Sequence, residues 1–142
     1  MPWKDNYTTS DEIGIRDGDV IWPDGQQMAL GLTVNLNPAA TAKGIAAKDL
    51  AYPTWHFALN EGLDAFLALF AELGLRATFA TPALVAEAYP DVIARILDQG
   101  HEIAAQGLLG EDPAALAPGQ EAAHMERATE VLTRVTGTAP KG

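Results

Sequence analysis

Apolar residues concentrate in three short segments, separated by stretches in which they recur at helical spacing. Met28 to Asn35 (Met-Ala-Leu-Gly-Leu-Thr-Val-Asn) is apolar at odd and even positions alike, the pattern of a parallel strand covered on both faces. Arg76 to Ala80 and His101 to Ala105 read as two further short strands. Between the first two, Leu59, Leu63, Phe66, Leu67, Phe70 and Leu73 define a helix, with Asn60 as N-cap and Gly74 just past its end. Thr81-Pro82 opens a second helix, with Thr81 as N-cap and proline in the first turn. Tyr89-Pro90-Asp91 restarts it, Val92, Ile93, Ile96 and Leu97 form its apolar stripe, and Gly100 stops it. A last helix runs from about Gln120 to Thr136, with Met125, Ala128, Leu132 and Val135 facing inward and Gly137 ending it. Asn37 to Tyr52 and Gln106 to Gly119 are loops.

Strand and helix therefore alternate three times. The fold class is α/β: a parallel sheet built from βαβ units with right-handed crossovers. Residues 1–27 are polar and turn-rich, with turn signals at Asp17-Gly18-Asp19 and Trp22-Pro23-Asp24-Gly25. Trp3, Tyr7, Ile13, Ile15, Val20, Ile21 and Trp22 give this stretch scattered anchors, so it reads as an arm packed on a domain of residues 28–142. Three parallel strands leave two open edges, and an open edge invites pairing. The chain is therefore expected to be an oligomer, most simply a homodimer, or to be completed by a second chain.

Composition narrows the function classes. The chain has 142 residues, 9 basic against 19 acidic, for a net charge of −10. So negative a surface repels phosphate backbones and anionic lipids, which argues against nucleic-acid and membrane partners. There is no cysteine, so disulfides and thiolate chemistry are excluded. The first residues lack the apolar core of a signal peptide, and the expected location is cytoplasmic. Ser10 is the only serine and no Gly-x-Ser-x-Gly elbow exists. Neither a Gly-x-Gly-x-x-Gly after the first strand nor a phosphate-binding Gly-x-x-x-x-Gly-Lys loop is present.

Three histidines remain. His101 starts the third strand, at the end opposite to where sites on parallel sheets form, and reads as structural. His56 lies in an aromatic segment before a helix and reads as packing. His124 lies on the polar or boundary face of the last helix and reads as solvated. A more suggestive set is Asn35, Asn37, Thr81, Gln106, Glu111 and Asp112. Each falls at or just past the carboxyl end of a predicted strand, so all gather at one end of the sheet. They would make a hydrogen-bonding pocket for a neutral polar small molecule, with one acidic edge. The alternative is loop caps and turns, for which Asn, Thr and Asp are favoured residues.

Four stretches together resemble the polysaccharide deacetylase (NodB-like) family, in particular its allantoinase-like and cyclic-imide-hydrolase-like branch. They are Trp22-Pro23-Asp24-Gly25 leading to Val34-Asn35; Gly74 to Ala80; Tyr89-Pro90-Asp91 followed by Ile96 to Ile103; and Glu126 to Pro140. The resemblance spans roughly residues 22–140. It implies the front half of a distorted (β/α) barrel and, by lineage, a hydrolase of non-peptide C–N bonds. It also implies where a divalent metal would be held: by an aspartate after the first strand and two histidines after the third, with a second aspartate as base. This sequence has Asn35-Leu36-Asn37 at the first place, and Gln106 and Gly110 at the second. Neutral amides give an ion no charge compensation and cannot shuttle protons. The expectation is no metal, no cofactor, no assigned catalytic residue and no metal-dependent mechanism. The alternatives are a non-catalytic small-ligand-binding or assembly protein on the same fold, and an enzyme completed by a second chain.

Overall fold

One cross-strand row, Val34, Phe79 and Ile103, organises the domain. The computed structural model describes residues 21, 23–38, 41–46 and 48–142. Their strands are β1 (Thr33–Asn35), β2 (Thr78–Thr81) and β3 (Glu102–Ala105), all parallel and in the order β1-β2-β3. Val34 pairs with Phe79 and Phe79 with Ile103, so the three side chains share one face. Consecutive strands are neighbours, and crossovers of one hand then place every helix on that same face. This is single winding, the arrangement of a barrel segment.

Helices cover the Val34–Phe79–Ile103 face. They are α1 (Pro53–Phe57), α2 (Leu63–Leu73), α3 (Ala83–Ala88), α4 (Pro90–Asp98) and α5 (Gln120–Thr136). One core joins Leu63, Leu67 and Phe70 of α2, Val85 of α3, Ile93 and Ile96 of α4, and Val131 and Leu132 of α5 to Phe79 and Ile103. α5 packs on α3, α4 and β3. His101 is buried within this layer: its Nδ1 accepts from the Ala77 amide at 3.2 Å, and its ring lies 5.5 Å from both Phe70 and Phe79. Exposed ion pairs, Arg95 with Asp64 and Arg134 with Glu87, add links between helices worth little energy.

The other face carries Thr33, Thr78 and Glu102 in one row and Asn35, Ala80 and Ala104 in the next. These residues are exposed or half-buried, and Thr78 donates to Glu102 at 3.0 Å. The expectation of a first strand covered on both faces is therefore corrected. β1 begins at Thr33, not at Met28, and Leu30 is 75% exposed. Among the described residues of the sheet, the buried side chains lie on the helical face.

Other boundaries move for local reasons. Helical structure begins at Pro53, with proline at the first position, and runs on through a π-helical turn, Ala58–Gly62, into α2. Asn60 lies inside that turn and donates to the His56 carbonyl at 2.8 Å, so it is not an N-cap. His56 is on α1 and exposed, not packed in a loop. Thr81 ends β2, and its hydroxyl donates to the Phe79 carbonyl at 3.0 Å instead of capping α3. α5 has the expected bounds, but Met125 is 62% exposed, not core. Phe66, Leu69 and Leu73 lie outward on α2 as an apolar stripe.

By internal packing the chain divides into Met1–Leu30 and Gly31–Gly142. The described part of the first unit holds a tight turn, Pro23–Gly25, closed by the Gln26 amide on the Pro23 carbonyl at 3.2 Å. Trp3, Tyr7, Ile13, Ile15, Val20, Trp22 and the Asp17-Gly18-Asp19 turn lie outside the described residues. Among the described residues, no helix is long and apolar enough to cross a membrane.

Candidate functional site

The carboxyl ends of the strands continue into two loops that hold each other. After β1, the Leu36 amide still donates to the Ala80 carbonyl at 2.9 Å, so Asn37 emerges one step above the sheet. After β3, the Gln106 amide donates to the Thr81 carbonyl at 3.1 Å. The loop that follows donates nothing to the sheet but reaches sideways. Gly107 and Leu108 carbonyls accept from the Ala83 and Leu84 amides at 3.1 and 3.0 Å, which satisfies the start of α3. The Leu109 carbonyl accepts from Ile45 at 2.8 Å, and the Asp112 amide donates to Ala42 at 3.1 Å. Gly44 allows this approach: a Cβ there would stand 2.6 Å from the Leu109 oxygen.

The six sequence-derived candidates have different surroundings. Asn35 and Asn37 line a cleft at the end of β1. Thr81 is fully buried with its hydroxyl committed to Phe79. Gln106 has a buried side-chain oxygen with no hydrogen-bond partner among the described residues. Asp112 caps the short turn Pro113–Ala115, accepting from Ala114 at 2.9 Å. Glu111 points away from the cleft, into a pair with His124 of α5.

That pair was not legible from the sequence, and it corrects the reading of His124 as solvated. His124 Nδ1 lies 2.5 Å from Glu111 Oε1, and the Glu111 side chain is 6% exposed. Glu111 Oε2 accepts from the Leu109 amide at 2.6 Å. An ionised carboxylate only accepts hydrogen bonds, so Nδ1 carries the donated proton. Burial pushes the Glu111 carboxyl up. The hydrogen bond and charge of His124, with the backbone amides of Glu111 and Leu109, outweigh it and hold the group below the ordinary carboxylate value.

The cleft has a volume of about 360 Å³. Asn35, Asn37 and Thr54 supply its polar groups, and Trp55, Phe57 and Phe66 its aromatic wall. Ala58 and Gly62 of the π-helical turn form part of the rim. π-turns within helices often mark functional sites, and this one lies in the chain between Phe57 and Phe66, both of which line the cleft. Trp55 is buried edge-to-face on Tyr89, with ring centres 6.1 Å apart, and Tyr89 Oη donates to the Leu50 carbonyl at 3.1 Å. Sequence periodicity missed this wall because it placed the helix start after His56. Pro53 was the signal, a proline followed by Trp55, Leu59 and Leu63 at helical spacing.

The divalent ion implied by the family resemblance does not fit the residues present. Its positions are occupied by amides and a glycine. A Cβ on Gly110 would stand 2.8 Å from Asn37 Nδ2 and 3.2 Å from Pro82 Cγ, so the Asn37 amide already fills the space of a ligand side chain. Among the described residues no group of three His, Asp or Glu could hold a metal.

Comparison with known proteins bears on the whole domain. The family model described as Polysaccharide deacetylase matches residues 43–142. A peptidoglycan deacetylase of Helicobacter pylori (strain ATCC 700392 / 26695) is 34% identical over 86 residues, which cover 61% of this chain and 29% of that protein. Among solved structures, Puue allantoinase superposes with a TM-score of 0.71 at 24% identity, over 84% of this chain and 46% of its own. A putative polysaccharide deacetylase from Mycobacterium smegmatis gives 0.69 at 26% identity, over 85% and 44%. The chain thus spans less than half the length of these relatives.

Proposed function

The chain belongs to the polysaccharide deacetylase family, and from that premise we propose that it binds a neutral, amide-bearing small molecule in the Asn35–Asn37 cleft without metal-dependent hydrolysis. By lineage the reaction class is hydrolysis of non-peptide C–N bonds. The observation that carries the reading is the neutral donor set of the cleft: Asn35 and Asn37 offer amide oxygens and N–H groups, while Gln106 and Gly110 stand where the resemblance implies ligand histidines.

This set can recognise an amide and has little means to hydrolyse one. Asn side chains both donate and accept, so they match a neutral amide group in either orientation. The aromatic wall of Trp55, Phe57 and Phe66 provides flat apolar contact, the usual composition of a small-molecule site with a few placed polar groups. Attack of water on an amide needs a base and something to stabilise the developing oxyanion. Among the described residues no carboxylate lines the cleft, and Glu111 is engaged with His124 and Leu109.

Nitrogen-15 NMR of the whole chain tests this. Titration with a neutral cyclic imide and with an N-acetylglucosamine oligomer is expected to shift the side-chain amide signals of Asn35 and Asn37 and the indole signal of Trp55. Acetate release from the oligomer is expected to stay at background with or without added zinc chloride. Zinc-dependent release that disappears in Gln106→Ala would overturn the proposal.

A further inference from the structure

The two loops that a bound ion would join in a metal-dependent relative make direct contacts with each other here. Asn37 follows β1, and Gly110 lies in the loop after β3. Gly110 has φ of +66°, a conformation that side chains other than glycine rarely adopt. Asn37 lies against its α-carbon, 2.8 Å from where a Cβ would be. On either side of Gly110 the backbone is fixed: Leu109 accepts from Ile45, and Asp112 donates to Ala42. Glu111 braces the same loop from within, holding the Leu109 amide and His124 of α5.

From this geometry we infer that the Asn37–Gly110 contact is the centre of a clasp that replaces a metal tie between the β1 and β3 loops, and that the clasp has closed the space a ligand at position 110 needs. The comparison with an ion rests on the metal-free reading above; the packing claim rests on the contacts alone. Putting ligand side chains back would then not rebuild the metal centre. A histidine at 110 would need both a left-handed backbone and the volume that the side chain at 37 occupies.

A double-mutant cycle in the full chain tests the clasp. Gly110→Ala is expected to lower the unfolding midpoint, through backbone strain and the clash with Asn37. In an Asn37→Ala background the same change is expected to lower it by about half as much or less, the backbone strain and the close approach to Pro82 Cγ remaining. Equal lowering in the two backgrounds, or none, overturns the inference. Should Gly110→Ala fail to fold, hydrogen exchange of Asn37→Ala decides: protection of the Ile45 and Asp112 amides is expected to fall while that of α5 stays, and unchanged protection overturns the clasp. The variant Asn37→Asp, Gln106→His, Gly110→His is expected to show no rise in midpoint on adding zinc chloride; a zinc-dependent rise contradicts the closure. None of these readouts involves the amide-bearing ligand or turnover, so they stand or fall separately from the binding assay.

Discussion

Phe79→Ala is expected to cost about 3–5 kcal/mol of stability, the usual range for deleting a buried aromatic ring. Phe79 is fully buried at the centre of the middle strand, in the row it shares with Val34 and Ile103. Its ring lies against His101, which in turn holds the Ala77 amide. Removing the ring leaves a cavity and frees that imidazole, so the buried Ala77 N–H loses a firmly placed acceptor. Domains have total stabilities of roughly 5–15 kcal/mol, so this one change removes a large part of the margin. Denaturant unfolding of the two proteins measures it. A loss under about 1 kcal/mol, the range of a surface site, would mean that the helical layer does not close on this row.

Glu111→Ala is expected to cost roughly 1.5–3 kcal/mol near neutral pH, the range for a hydrogen bond to a charged group. It strips acceptors from the Leu109 amide and from His124 Nδ1. The pH dependence has a definite sign. The folded carboxyl titrates below its ordinary value, so between the two values the unfolded chain binds more protons and stability rises with pH. The contribution is complete above the unfolded carboxylate value of about 4.3. It fades as pH falls through the lower folded value. Glu111→Gln keeps the shape and removes that titration. The stability gap between the original chain and Glu111→Gln should therefore be widest near neutrality and shrink on acidification. A gap that does not change with pH would show that Glu111 acts through shape alone.

Much of the architecture was legible because it depends on local spacing. The apolar stripe of Val92, Ile93 and Ile96, the proline at 90 and the glycine at 137 place α4 and α5 where they are found. The alternation of strand and helix gives parallel order, and the comparisons agree with the family and the barrel-type fold. What spacing cannot show is which faces meet a neighbour. Met28 to Asn35 reads as a buried strand, yet the strand is confined to Thr33–Asn35 and Leu30 is exposed. Met125 has helical spacing with Ala128 and Leu132 but falls at the rim of the packed face.

The candidate site divides the same way. Its location at the carboxyl ends followed from strand order, and Asn35 and Asn37 do line a cleft. The His124–Glu111 pair joins residues from a loop and a later helix, and its partners become visible only in three dimensions. The aromatic wall depended on a π-helical turn that no simple period encodes. Gly110 looked like a missing ligand in the sequence; in the fold it is the surface on which Asn37 rests.

The site proposed at the strand ends is neutral and holds no metal. Calorimetric titration of zinc chloride into the untagged, chelator-treated chain tests it most directly. No stoichiometric binding is expected, and any weak heat should be unchanged in Asn37→Ala and Gln106→Ala. One zinc ion bound per chain, and lost in either variant, would contradict it.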